Sequence, residues 1–186
     1  TEFERHTVSS NVDERTLREV YLLPFEMGVI EGKSKSVMSA YNKLNNIYCS
    51  SHKELLVDIL KNEWGFDGYV VSDWGAALET NENANGGLDL EMPGPGNTWG
   101  EKLLSAISDG LVEEEIINDK VMRILRVGEF SGRFNSPENK PEKSNIRQSH
   151  NQLLRDVACE GMVLLKNENV LPFDKNKIKK LAIIGP

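Results

Sequence analysis

Three short apolar runs, residues 36–42 (SVMSAYN), 68–76 (GYVVSDWGA) and 86–94 (GGLDLEMPG), are separated by stretches of helical periodicity, and this alternation limits the fold more than any other feature. Short strands joined through amphipathic helices imply parallel pairing with helical crossovers, hence an α/β architecture. Residues 13–30 read as the first helix. Asn11 or Asp13 can cap it, Leu17, Val20, Tyr21 and Phe25 recur at helical spacing, and Pro24 would kink or shorten it. Ser51 and Glu54 have capping-box spacing ahead of Leu55, Leu56, Ile59 and Leu60, and Gly65 can close that helix in a left-handed conformation. Two more helices follow: residues 101–109, ending at Gly110, and residues 113–128, with Ile116, Ile117, Val121, Ile124 and Leu125 on one face. Glu113, Glu114 and Glu115 read as acidic residues favoured at a helix N-terminus by the macrodipole.

Three strands with their helices fall short of a closed eight-stranded barrel, which takes roughly 250 residues. The chain has 186, opens on Thr1 and stops at Pro186 directly after an apolar run, so both ends read as cut and a barrel here would be the last part of one. From residue 133 to 149 the sequence becomes RFNSPENKPEKSNIRQS, polar, with two prolines and no apolar period, which reads as a linker. Beyond it residues 150–167 read as a helix and residues 181–185 (LAIIG) as a buried strand, the beginning of a second α/β domain.

A net charge of -7 argues against general affinity for nucleic acid or anionic lipid. Cys49 and Cys159 are far apart and form no metal-binding pattern, so small buried thiols are expected. No apolar stretch reaches membrane-spanning length, and there is no Asn-x-Ser/Thr sequon. His6, His52 and His150 have no partner spacing for a metal or a triad and are expected on the surface. No Gly-rich loop follows any of the three strands, which counts against a phosphate-binding barrel enzyme.

In parallel α/β folds the active site lies in the loops after the C-terminal strand ends. Asp73 with Trp74, Tyr41 with Asn42, and Asp89 with Glu91 occupy such positions. Asp73 suits two roles, as a cap for a following helix or as a catalytic carboxylate. Trp74 could be core or a ligand platform, and Tyr41 could be core with its hydroxyl bonded to backbone. Asp89 and Glu91 share a face, and a structural salt bridge is their commoner fate. Carboxylates, a phenol and an indole at strand ends fit glycoside chemistry. A retaining glycosidase pairs a carboxylate nucleophile with a second carboxyl about 5–5.5 Å away.

The blocks ERHTVSSNVDERTLREVYLLPFE, VMSAYNKLNNIYCSS, LLVDILKNEWGFDGYVVSDWGA, GGLDLEMPGP and ACEGMVLLKNENVLPF resemble, in that order, successive blocks of the glycoside hydrolase family 3 β-glucosidases. The resemblance implies a (β/α)8 TIM-like barrel, a linker and a second α/β sandwich domain, with the sugar bound between the domains. On that plan residues 1–132 are the C-terminal part of the barrel, 133–149 the linker and 150–186 the start of the second domain. It implies a retaining β-glycosidase that hydrolyses terminal non-reducing β-D-glucosyl residues through a covalent glycosyl-aspartate, without metal or organic cofactor. Its partner would be a small glycoside or oligosaccharide, with no nucleic acid and no membrane, and a homo-oligomer is left open.

Residue by residue, the resemblance implies that Asp73 is the nucleophile and that Trp74 lines the sugar subsite. Tyr41 matches a Tyr placed beside the nucleophile, Met38 lies on the same strand, and Arg5 matches an Arg that hydrogen-bonds sugar hydroxyls. Several family features are absent: a Lys-His pair and an earlier Asp and Arg that precede Thr1 in the family, and the general acid/base, a Glu beyond Pro186. Glu91 has no such role in the family. Asn46 stands where glycine is common and Gly161 where Ser is usual. Two alternatives remain: a catalytically incompetent fragment or sugar-binding remnant, and a β-xylosidase-type member of the same family.

Overall fold

The computed structural model describes residues 3–136, 138–139, 141–182 and 184–185. The chain divides into two compact units, Thr1–Glu138 and Asn139–Pro186.

In the first unit β1 (Ser9–Ser10) leads into α1 (Glu14–Thr16), capped by Asp13, whose carboxylate accepts the Thr16 N–H at 3.0 Å. The helix then widens into a π-helical turn over Leu17–Tyr21 before α2 (Leu23–Ile30). The break falls where Pro24, which has no N–H to donate, sits in the first turn of α2. The apolar face expected to be core is not: Val20, Tyr21 and Phe25 are exposed, while Leu22 and Val29 are buried.

β2 (Ser36–Ser39) pairs in parallel with the later strand at Tyr69–Ser72, in register from Ser36↔Tyr69 to Ser39↔Ser72. Between them, β3 (Lys43–Leu44) and β4 (Ile47–Tyr48) form an antiparallel hairpin whose first strand pairs in parallel with β1. The hairpin turns on Asn45 and Asn46, both at positive φ (49° and 73°), a backbone that Asn tolerates better than most residues. Asn45 holds Val12 from both sides, accepting its N–H at 2.9 Å and donating to its carbonyl at 3.0 Å.

The capping box at Ser51 does not form. Ser51 Oγ donates back to the Tyr48 carbonyl, and His52 Nδ1 accepts the Leu55 N–H at 3.3 Å. His52 is therefore buried, at 4% exposure, and its surface placement is corrected. The helix that follows, Glu54–Glu63, is π-wound and buries Leu56, Ile59 and Leu60, and Gly65 turns the chain at φ +66°. β5 (Tyr69–Ser72) comes next. Gly68 precedes it with no room for a side chain, since a Cβ there would stand 2.2 Å from the Lys35 carbonyl oxygen in the segment that leads into β2.

Residues 86–94 are not the third strand expected. α3 (Asn81–Gly86) occupies the approach, Gly87 turns it at φ 103°, and only a single parallel bridge, Val71↔Leu90, follows. A side chain supplies the ladder bond instead: Asp89 Oδ2 accepts the Val70 N–H at 2.8 Å, while the N–H groups of Asp89 and Leu90 both reach the Val70 carbonyl.

α4 (Glu101–Ser108) and α5 (Glu114–Phe130) complete the unit. Val121, Ile124 and Leu125 of α5 are exposed, and its buried residue is Lys120. Polar groups tie α5 to the segment that leads into β5: Arg123 Nη1 donates to the carbonyls of Phe66 and Gly68 at 2.8 and 3.0 Å. The main core joins Val29, Leu56, Leu60, Phe66, Val70, Ala77 and Leu88, and a smaller cluster gathers Ala84, Ala106 and Val112. Trp99 packs against both.

The second unit holds α6 (Gln148–Gly161), shorter than the helix expected over 150–167. The expected strand at 181–185 does not form among its described residues: Leu181, Ala182, Ile184 and Gly185 are exposed and unpaired, and Ile183 lies outside the described residues. The described residues of this unit include no other strand that could take up their backbone donors and acceptors. Both cysteines are free thiols, Cys49 buried as expected and Cys159 exposed. Among the described residues no helix is long and apolar enough to cross a membrane.

Candidate active site

Because β2 and β5 are parallel and in register, the segments that leave their C-terminal ends, with Tyr41 on one and Asp73 and Trp74 on the other, emerge side by side. Alternation along β5 buries Val70 and Ser72, at 0% and 2% exposure, so Asp73 leaves the strand on the less buried side. Its N–H donates to the Ser39 carbonyl at 3.1 Å, and its Oδ1 accepts the Trp74 N–H at 2.6 Å. No helix follows until Asn81, so Asp73 is not a helix cap. The chain turns instead at Gly75, whose φ of 78° is open to glycine and strained for other residues.

Tyr41 crosses to this turn and donates its hydroxyl to the Trp74 carbonyl at 2.9 Å. Burial first, then hydrogen bonding and the negative charge of Asp73, push the Tyr41 phenol above its ordinary value, while Arg5 opposes the shift. The Arg5 guanidinium lies 5.2 Å from the centre of the Tyr41 ring, and His6 meets the same ring edge-on at 4.5 Å. Arg5, Met38, Tyr41 and Asp73 all line one cavity of about 560 Å³, with Phe25 and Val37 on its apolar side. Trp74 stays off that lining, 63% exposed. Asp73 is the only carboxylate on the lining among the described residues.

Asp89 and Glu91 are committed elsewhere. Asp89 is buried against Lys61, whose Nζ lies 2.7 Å away and also donates to the Gly87 carbonyl, with Lys120 at 3.9 Å. Glu91 is not in a salt bridge. Its carboxylate accepts three successive backbone N–H groups, from Asn97, Thr98 and Trp99, at 2.9, 3.0 and 2.9 Å, and so closes the loop that follows. The stacking of His6 on Tyr41 had no signal in the sequence, because the two are brought together only by the pairing of β1 with β3. Among the described residues no group of three or more His, Cys, Asp or Glu is arranged to hold a metal ion.

The profile described as the glycosyl hydrolase family 3 N-terminal domain matches residues 1–127. A beta-glucosidase of Rhizobium radiobacter is 47% identical over all 186 residues, and a probable beta-glucosidase I of Aspergillus flavus is 43% identical over the same length. The chain spans only 23% and 22% of these two relatives. Among solved structures, beta-glucosidase 3B of Thermotoga neapolitana in complex with glucose aligns with 93% of this chain and 25% of its own, at 40% identity and a TM-score of 0.73. The beta-glucosidase of Kluyveromyces marxianus in complex with glucose aligns with 89% of this chain and 21% of its own, at 38% identity and a TM-score of 0.79.

Proposed function

The chain belongs to glycosyl hydrolase family 3, and on that footing we propose that it is the nucleophile-bearing part of a retaining β-glycosidase acting on terminal β-D-glucosyl residues. The observation that carries this reading is the convergence of Asp73, Tyr41 and Arg5 on one cavity beyond the paired ends of β2 and β5. Asp73 is the nucleophile: its carboxylate attacks the anomeric carbon, the aglycone leaves, and a glycosyl-aspartate forms that water later hydrolyses. Tyr41 steadies the turn that carries this carboxylate, Arg5 bonds sugar hydroxyls, Met38 supplies an apolar wall, and Trp74 offers an indole face at the rim. The relatives named as beta-glucosidases, and the two neighbours titled as glucose complexes, favour a glucosyl over a xylosyl substrate.

In the same reading residues 1–132 form the last part of a (β/α)8 barrel, 133–149 a linker and 150–186 the start of a second α/β domain. The general acid/base comes from outside these residues. One observation favours the second reading, a unit that binds sugar without turnover: no carboxylate other than Asp73 lines the cavity among the described residues. The deciding experiment is incubation of the full-length protein with a 2-deoxy-2-fluoro-β-glucoside bearing a good leaving group, followed by peptide mass mapping. A fluoroglucosyl adduct on Asp73 is expected. Turnover of an aryl β-glucoside with no adduct on Asp73 would overturn the assignment, and binding with neither adduct nor turnover would establish the second reading.

A further inference from the structure

We propose that Ser72 is a positioning residue for Asp73, holding the turn that carries the nucleophile to the backbone of a single residue, Met92. The inference rests on Asp73 being the nucleophile. The side chain of Ser72 faces away from the cavity and is buried, so it touches no substrate. Its hydroxyl closes a reciprocal pair with Met92, donating to the carbonyl at 3.2 Å and accepting the N–H at 2.9 Å. On the other side of Asp73, the N–H of Gly75 donates to the same Met92 carbonyl at 2.8 Å. The residues flanking Asp73 and Trp74 are thus fastened to the backbone of one residue, Met92, while the Asp73 N–H is fastened to Ser39 on β2.

The sheet cannot do this work by itself. The register of β2 with β5 ends at Ser39↔Ser72, and beyond Val71↔Leu90 no further backbone bridge joins β5 to the segment at Met92. The Ser72 hydroxyl therefore extends the ladder by one step at the place where the chain leaves the strand. A carboxylate that must meet an anomeric carbon in line loses rate steeply when it is free to swing, because near-attack geometry is what preorganisation supplies. The chain from Glu91 outward supports the anchor, since Glu91 fixes the loop that leaves Met92.

The test compares wild type with Ser72→Ala in the full-length protein, by the kinetics of Asp73 labelling with the 2-deoxy-2-fluoro-β-glucoside and by amide hydrogen exchange. Labelling of the variant should be at least tenfold slower at saturation, with the half-saturating concentration within twofold of wild type. Exchange should quicken over residues 73–76 and stay unchanged over Glu54–Glu63. Labelling of the variant at the wild-type rate overturns the proposal. A wild type that takes no label at all overturns the assignment of Asp73 instead, and exchange then judges the clamp alone: unchanged protection at 73–76 refutes it, and a local loss supports it. Should Ser72→Ala lose protection throughout, Ser72→Cys, which fills the site with a slightly larger thiol and weakens both bonds, takes its place under the same readouts.

Discussion

The Tyr41 hydroxyl donates to the Trp74 carbonyl at 2.9 Å, joining the segment that follows β2 to the turn that follows β5 on either side of Asp73. Tyr41→Phe removes this bond while leaving the ring under Arg5 and against His6. We expect Asp73 labelling to slow by up to about tenfold, the upper end of what one neutral hydrogen bond contributes. The raised phenol value means that the hydroxyl remains a neutral donor beyond pH 10. Its contribution is present below the unfolded value and lost as pH rises through the higher folded one. Spectrophotometric titration should therefore show a phenol ionising above pH 10 that is missing in the variant.

Asp73→Gly should lower turnover of an aryl β-glucoside by at least ~10³-fold with a modest change in melting temperature, since the carboxylate accepts one backbone N–H, that of Trp74, and interacts with the Tyr41 phenol. Added azide should restore consumption of an activated substrate and yield the α-glucosyl azide, because the anion attacks from the face that Asp73 vacates. A β-configured azide would contradict the placement of Asp73.

Glu91→Ala separates structure from catalysis at a residue whose position near the strand ends resembles that of an acid/base. Three backbone N–H groups lose their acceptor, and stability should fall by about 2–4 kcal/mol. Asp73 labelling should still occur, with the alkaline limb of the pH–rate profile, which the general acid sets, in place. Loss of that limb would return Glu91 to the chemistry.

Lys120 is 5% exposed, and Asp89, 3.9 Å from its ammonium, already binds Lys61. Burial pushes Lys120 down to about 8; Asp89 opposes the shift and Lys61 adds to it. With an ordinary value of 10.5 when unfolded, the unfolded chain binds more protons between these limits. Stability should therefore rise as pH increases from about 8 towards 10.5. Urea midpoints of Lys120→Met should rise less over that window. Asp89→Asn should cost roughly 3–5 kcal/mol, because it strands two buried ammonium groups.

The 186 residues expressed alone should self-associate. Val20, Tyr21, Phe25 and Met27 lie exposed along the first helical segment, and exposed apolar side chains gathered on one segment favour association. Sedimentation should report mass above the 20.9 kDa monomer. A sharp, reversible unfolding transition at monomer mass would refute this.

The paired strands at 36–39 and 69–72, the helix ends at Gly65 and Gly110, and the Asp13 cap were legible because each depends on neighbours in sequence. The third strand was misread because an alternating pattern also fits a segment in which a carboxylate, Asp89, replaces a ladder bond. His52 was misread because the cap it forms needs only one nitrogen facing a backbone N–H, which no residue spacing announces. On α5, Ile116 and Ile117 pack against the core as the periodicity suggests, whereas Val121, Ile124 and Leu125 are exposed because lysine and arginine stems can carry packing while their heads find partners far away in sequence.

By itself the sequence determined an α/β chain with parallel strands and placed Asp73, Trp74 and Tyr41 just past strand ends, since periodicity and punctuation are local properties. Only the tertiary structure decided which of them share a cavity. It set Tyr41 on the Trp74 carbonyl, left the Trp74 side chain outside the lining, and turned Asp89 and Glu91 into internal ties. The physical reason is that a carboxylate takes whichever donors the fold brings within about 3 Å, and for Asp89 those come from residues up to 28 positions away.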